Sequence, residues 1–167
     1  VQWNGNLYSV GNDGTCYQDR SSLTRSAKHQ FPMYNKVNKR GVGIEIAYSS
    51  IDSDPYKNTV RVAFSGLTSR DSLGDIQTLP GNGIQTSRRM LYVPVSTVQE
   101  ASSLIAYLSS KLVRFTLPFL RPNTTNSVSS FQGVARPPLN RNWTDQELYQ
   151  HFNLTQDEIN LIESTVK

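Results

Sequence analysis

"STVQEASSLIAYLSSKLVRFTLP", residues 96–118, is where the chain changes its period, and its reading decides the fold. Thr97 and Glu100 have the spacing of a capping box, in which the hydroxyl accepts from the backbone three residues on and the glutamate reaches back. Leu104, Ile105, Leu108, Leu112 and Phe115 follow at steps of one, three, four and three, which is one helical face. Lys111 and Arg114 fall near the C-terminal end of this pattern, where the helix dipole favours cations. Pro118 limits its continuation. The pattern predicts one amphipathic helix over about 97–117.

Upstream of it the period is two. "FPMYNKV" at 31–37, "GIEIAYSS" at 43–50, "TVRVAFSG" at 59–66 and "RRMLYVPV" at 88–95 read as strands. Ile44, Ile46 and Tyr48 alternate with Glu45 and Ala47, and Val60, Val62 and Phe64 alternate with Arg61 and Ala63. "SDPY" at 53–56 is a turn, because Asp-Pro starts turns readily. Downstream, "NWTDQELYQHFNLTQDEINLIEST" at 142–165 holds two short helices with one grammar. Thr144 caps with Glu147 and Thr155 with Glu158, and acids cluster at both N-termini, the favourable end of each dipole. Asn153 suits a left-handed helix end, and Trp143, Leu148 and Phe152 are the expected anchors. The fold class is therefore α+β: a β-rich body over 1–141 with one long amphipathic helix packed on it, closed by a C-terminal pair of short helices over 142–167.

The net charge of +4 conceals an asymmetry. Residues 1–141 carry 16 Lys/Arg against 8 Asp/Glu, whereas residues 142–167 carry one Lys against five acids. Six cations and no acid lie between Arg20 and Arg40: Arg20, Arg25, Lys28, Lys36, Lys39 and Arg40. A basic body suits a polyanion, since each neutralised phosphate releases counterions. Cys16 is the single cysteine, which excludes an internal disulfide, and His29 and His151 belong to no metal-spaced cluster. No membrane span or secretory signal is visible, and a cytoplasmic protein is expected.

Two polar loops around glycines offer recognition chemistry. "FSGLTSRDS" at 64–72 supplies Ser69 and Arg70, and "PGNGIQTSRRM" at 80–90 supplies Asn82, Gln85, Thr86, Ser87, Arg88 and Arg89. Asn and Gln side chains match the adenine edge and Arg the guanine edge, while glycine lets backbone amides approach phosphates. No Gly-x-x-x-x-Gly-Lys loop is present, so nucleotide hydrolysis has no support.

Three segments, "VRVAFSG", "GNGIQTSRRMLYVPVSTVQEASSLIAYLSSKLVRFTLPFL" and "RPPLNRNWTDQELYQHFNLTQDEINLIEST", together resemble the C-terminal, TaqI-like target-recognition region of restriction–modification enzymes. These relatives are adenine-specific DNA methyltransferases, some fused to a nuclease. Tyr107 to Leu112 is similar to their "YLNSKL" signature, and the resemblance spans roughly residues 28–165. It implies a DNA specificity domain detached from its catalytic half, and partners that are double-stranded DNA and a catalytic domain or subunit. Any S-adenosylmethionine or magnesium would belong to that other domain, so this chain is expected to hold no cofactor and to do no chemistry alone. In the intact enzyme the target adenine would be flipped into the catalytic domain. Two alternatives stand beside this reading. One is a small metal-dependent nuclease using Glu45, Asp52 and Asp54, and the other is a basic module that meets an acidic protein.

Overall fold

The computed structural model describes residues 21–37, 43–66, 68, 73–87, 89–121, 125–127, 129–131 and 134–166. Among the described residues seven strands come first: β1 (Ser21–Ser22), β2 (Phe31–Val37), β3 (Ile44–Ser49), β4 (Arg61–Ser65), β5 (Gln77–Leu79), β6 (Gln85–Thr86) and β7 (Met90–Pro94). The helices follow: α1 (Val98–Leu108), α2 (Lys111–Leu120), a single 3-10 turn at Ser129–Phe131, α3 (Asp145–His151) and α4 (Gln156–Thr165). The class is α+β, as the change of period implies.

β4 is the pivot of the architecture. It lies between β5 and β7, antiparallel to both, with Val62 opposite Val93 and Phe64 opposite Leu91. Side chains alternate across a strand, so this register sends odd and even residues to different places. Val62 and Phe64 join Leu91, Val93, Leu104, Leu108, Val113, Leu117 and Phe131 in the main core under the helices. Ala63 joins Tyr34, Leu79, Met90 and Tyr92 in a second core against the other sheet. That sheet has the order β1-β3-β2-β6, with β6 parallel to β2. Three layers result: helices, a three-stranded sheet and a four-stranded sheet. Burying a side chain such as Phe64 stabilises by about 1.5–3 kcal/mol, and β4 collects this on both faces.

The single long helix is not found; two helices take its place. Thr97 does cap α1, accepting from Glu100 N at 3.1 Å, while the Glu100 carboxylate accepts from Ser96 N at 2.7 Å. Ser110 then leaves helical geometry (φ −64°, ψ 156°) and caps α2 by accepting from Val113 N. A serine hydroxyl offers the backbone an alternative partner to the helical ladder, which is why paired serines break the run here. The break also rotates the buried face. Val113 and Leu117 point inward, and Leu112 and Phe115, which continue the stripe on paper, are half-buried. Pro118 does not end α2, which runs to Leu120.

The break reverses the electrostatic sense of Lys111. It starts α2, the end where a cation is disfavoured. The closing helices offset this. Asp145 Oδ1 accepts from Lys111 N at 2.7 Å, and Glu163 pairs with Lys111 Nζ and accepts from Tyr149 Oη at 2.9 Å. Both capping boxes of the closing pair are formed, with Thr144 N donating to Glu147 at 2.9 Å and Thr155 N to Glu158 at 2.7 Å. Asn153 has φ 53° and turns the chain between them. Trp143 and Leu148 are buried in the main core, with Phe152 packed against it. The tail's acidity thus serves helix ends.

Candidate nucleic-acid interface

The 80–90 segment differs from its expected role. Gln85 and Thr86 form β6, the end strand of its sheet, parallel to β2, and Gln85, Thr86 and Ser87 are all buried. Gln85 Oε1 accepts from Ser53 N at 2.7 Å and Asp54 N at 3.3 Å, and its Nε2 donates to Ile51 O at 3.0 Å. Ser87 Oγ donates to Asn35 O at 2.6 Å. These side chains stitch the 51–54 loop and β2 to β6, so their forks face the protein and not a base edge. Gly81 is needed for a similar internal reason: a Cβ there would lie 2.3 Å from the Asn58 carbonyl oxygen.

Beneath this strand lies a buried charge centre that the alternation in "VRVAFSG" did not announce. Arg61 and Asp54 have fully buried side chains and pair at 2.8 Å. The Asp54 carboxylate accepts four hydrogen bonds: from Arg61 Nη1, Thr86 N, Tyr56 N and Tyr92 Oη. Arg61 also donates to Thr86 Oγ1 and to the carbonyls of Lys57, Pro80 and Ile84. The bond from Tyr56 N closes the "SDPY" turn. Burial, and then the bond to Asp54, push the Tyr92 phenol far above its ordinary value, so it stays a neutral donor. Burial pulls the Arg61 guanidinium down, opposed by the Asp54 charge. The centre joins β4, β6, β7 and the 51–58 loop.

A second buried arginine holds the other loop. Arg121 donates to Asn126 Oδ1 at 2.6 Å and Thr68 Oγ1 at 3.1 Å, while Asn126 Nδ2 donates to Ser65 O at 2.7 Å. The polar stretch after α2 thus clamps the end of β4, a role that its composition does not signal. Ser69 and Arg70 lie outside the described residues, as do Arg20, Lys39, Arg40 and Arg88.

The described cations of the expected DNA-contact set fall in two places. Arg25 and Lys28 are exposed ahead of β2. Lys36 and Arg89 are exposed at its far end, about 17 Å along a strand with the usual rise. Lys36 pairs with Glu45 at 3.0 Å, and Arg89 is near enough to lower the Glu45 carboxyl further. Asn82 is exposed, with its side chain hydrogen-bonded to Tyr34 Oη. Of the three acids of the nuclease alternative, Asp54 is enclosed, Asp52 pairs with Lys57, and Glu45 pairs with Lys36. Among the described residues no group of three His, Cys, Asp or Glu could hold a metal ion, and no helix is long and apolar enough to cross a membrane.

No family model matches the chain, and neither a curated protein nor a solved structure is similar to it. The resemblance to target-recognition regions therefore rests on its motifs alone.

Proposed function

We propose that this chain is the duplex-DNA recognition domain of a restriction–modification enzyme, binding through its basic body and doing no chemistry by itself. One observation carries the reading: the disposition of its carboxylates. In the closing helices Asp145, Glu147, Glu158 and Glu163 are consumed at helix ends and on Lys111. In the body Asp54 is sealed against Arg61, Glu45 and Asp52 are paired with Lys36 and Lys57, and Asp75 is exposed. What the body turns outward includes Arg25, Lys28, Lys36 and Arg89. Surplus cations on one part of a molecule are the electrostatic signature of a polyanion partner.

The proposed contacts divide by chemistry. Arg25, Lys28 and Lys36, with Arg20, Lys39 and Arg40, would meet phosphates. Base reading would fall to Asn82, with Ser69, Arg70 and Arg88 from the two loops, while Arg89, beside Glu45, would join the phosphate contacts. Gln85, Thr86 and Ser87 are withdrawn from the base-reading set, because their polar atoms are spent on the fold.

The test is the affinity of the purified chain for a labelled duplex across a salt series. The expected result is binding whose logarithm falls linearly with log salt, with a slope of about −0.9 per phosphate contact. Affinity that ignores salt, or a preference for an acidic protein over duplex DNA, overturns the reading.

A further inference from the structure

Glu45 occupies a seat that is built for an anion. β2 and β3 pair normally until Tyr34 and Ile46, and the register then slips so that Lys36, not Asn35, faces Glu45. Adjacent residues on a regular strand point to opposite faces. The extra residue breaks that rule, and the side chains of both Asn35 and Lys36 reach the one carboxylate. Asn35 is only 4% exposed, and its carbonyl accepts from Ser87 Oγ, which ties the bulge to β6. Its Nδ2 therefore donates from a fixed position to Glu45 Oε1. Lys36 Nζ closes on Oε2 at 3.0 Å. The hydrogen bond from Asn35, then the one from Lys36, hold the Glu45 carboxyl below its usual range, with the Arg89 charge adding to the effect. A fixed amide donor, a lysine and a nearby arginine are what a phosphate oxygen requires.

We infer that Asn35, Lys36 and Arg89 form a phosphate seat for the DNA backbone and that Glu45 fills it in the free protein, competing with the incoming phosphate. This rests on the DNA reading above and adds a regulating group to it. The competition lowers affinity for every sequence alike and keeps the cations from gripping any polyanion without a matched surface. In the bound state Glu45 leaves, and a phosphate oxygen takes the bonds from Asn35 Nδ2 and Lys36 Nζ.

The experiment compares wild type, Glu45→Gln and Asp157→Asn in duplex binding over a salt series, with thermal melting of each. Gln keeps an oxygen for the Asn35 amide, so the bulge retains its partner. Asp157→Asn makes the same charge change on exposed α4. The expected result is duplex affinity raised roughly threefold to tenfold by Glu45→Gln, with the number of phosphate contacts read from the salt slope unchanged, and little change from Asp157→Asn. Binding by Glu45→Gln alone, with none by wild type, also supports the inference. If wild type binds and Glu45→Gln binds no better, or Asp157→Asn tightens binding equally, the phosphate seat is refuted while the DNA reading stands. If neither wild type nor Glu45→Gln binds duplex, both fall. Should Glu45→Gln melt early, Glu45→Ala at a temperature where it is folded decides between the same outcomes.

Discussion

Arg61–Asp54 and Lys36–Glu45 are both cation–carboxylate pairs, in two settings. The first has both side chains fully buried, and the second leaves 48% of the lysine side chain and 27% of the glutamate exposed. Burial decides what each can do. Removing one partner inside leaves an uncompensated charge in a poor solvent, so the inner pair is committed to the fold. Water and salt replace a lost partner outside, so the outer pair is free to exchange one anion for another. Glu147 and Glu158 of the acidic tail follow the outer rule: they cap their own helices in solvent and act locally.

The comparison can be broken most sharply at Asp54. Asp54→Ala strands Arg61 and removes a partner from Tyr92, Thr86 and Tyr56; the loss of stability should be about 3–5 kcal/mol in a urea titration. A loss below about 1 kcal/mol would show that the centre is not the brace described here. Next comes Gln85→Ala, which leaves the amides of Ser53 and Asp54 and the carbonyl of Ile51 without their partner. We expect a loss of about 1–3 kcal/mol, with the DNA sequence preference of the folded fraction unchanged. Relaxed preference with unchanged stability would place Gln85 at a base after all.

The caps test the outer rule. Thr155→Ala should lower stability by about 0.5–2 kcal/mol, measured by thermal melting. Acid should act on the same bonds. The hydrogen bonds from Thr144 and Thr155 hold Glu147 and Glu158 below the ordinary glutamate value, and Lys111 and Tyr149 do so for Glu163. A carboxyl whose folded pKa is depressed stabilises fully above its unfolded value of about 4.3 and loses that contribution as pH falls through the lower folded value. Helical circular dichroism should therefore fall off below about pH 4.3, and less so in the Thr144→Ala, Thr155→Ala double variant. The smallest effect on stability is expected from Lys36→Ala, under about 1 kcal/mol, although it should weaken duplex binding for all sequences and flatten the salt slope.

What the sequence revealed was local, and what it concealed was a matter of partners. Strands over 31–37, 44–49, 61–65 and 90–94 are readable because β-branched and aromatic residues alternate there. Both capping boxes are readable because a Thr and a Glu three residues apart interact within one turn. The helix break at Ser109–Ser110 was hidden because the apolar spacing runs straight through it. Its cause lies partly in Asp145, which serves α2 from 34 positions away. On β3 the alternation favours Ile46 as core, yet Ile46 is 37% exposed and Ala47 is buried opposite Met33, so the face with Ala47 and Ser49 is the covered one there. Of the proposed site, exposure and burial alone can be compared with the sequence. Exposed Lys36 and Arg89 are where a basic segment should be, whereas Gln85 and Arg61 look like surface chemistry until Ser53 and Asp54 are seen beside them. A polar side chain carries no mark in its own neighbourhood that says whether a distant residue will claim it.

The carboxylate that starts α2 has a consequence for the order of events in the cell. Because Asp145 and Glu163 are translated well after Lys111, the second helix is left without its final fastening while the ribosome still holds the C-terminal segment. Until those residues emerge, the floor of the main core that Trp143 and Leu148 complete stays open. A chaperone that shields apolar surface would find its opportunity in that interval, and it would lose its grip when α3 and α4 dock.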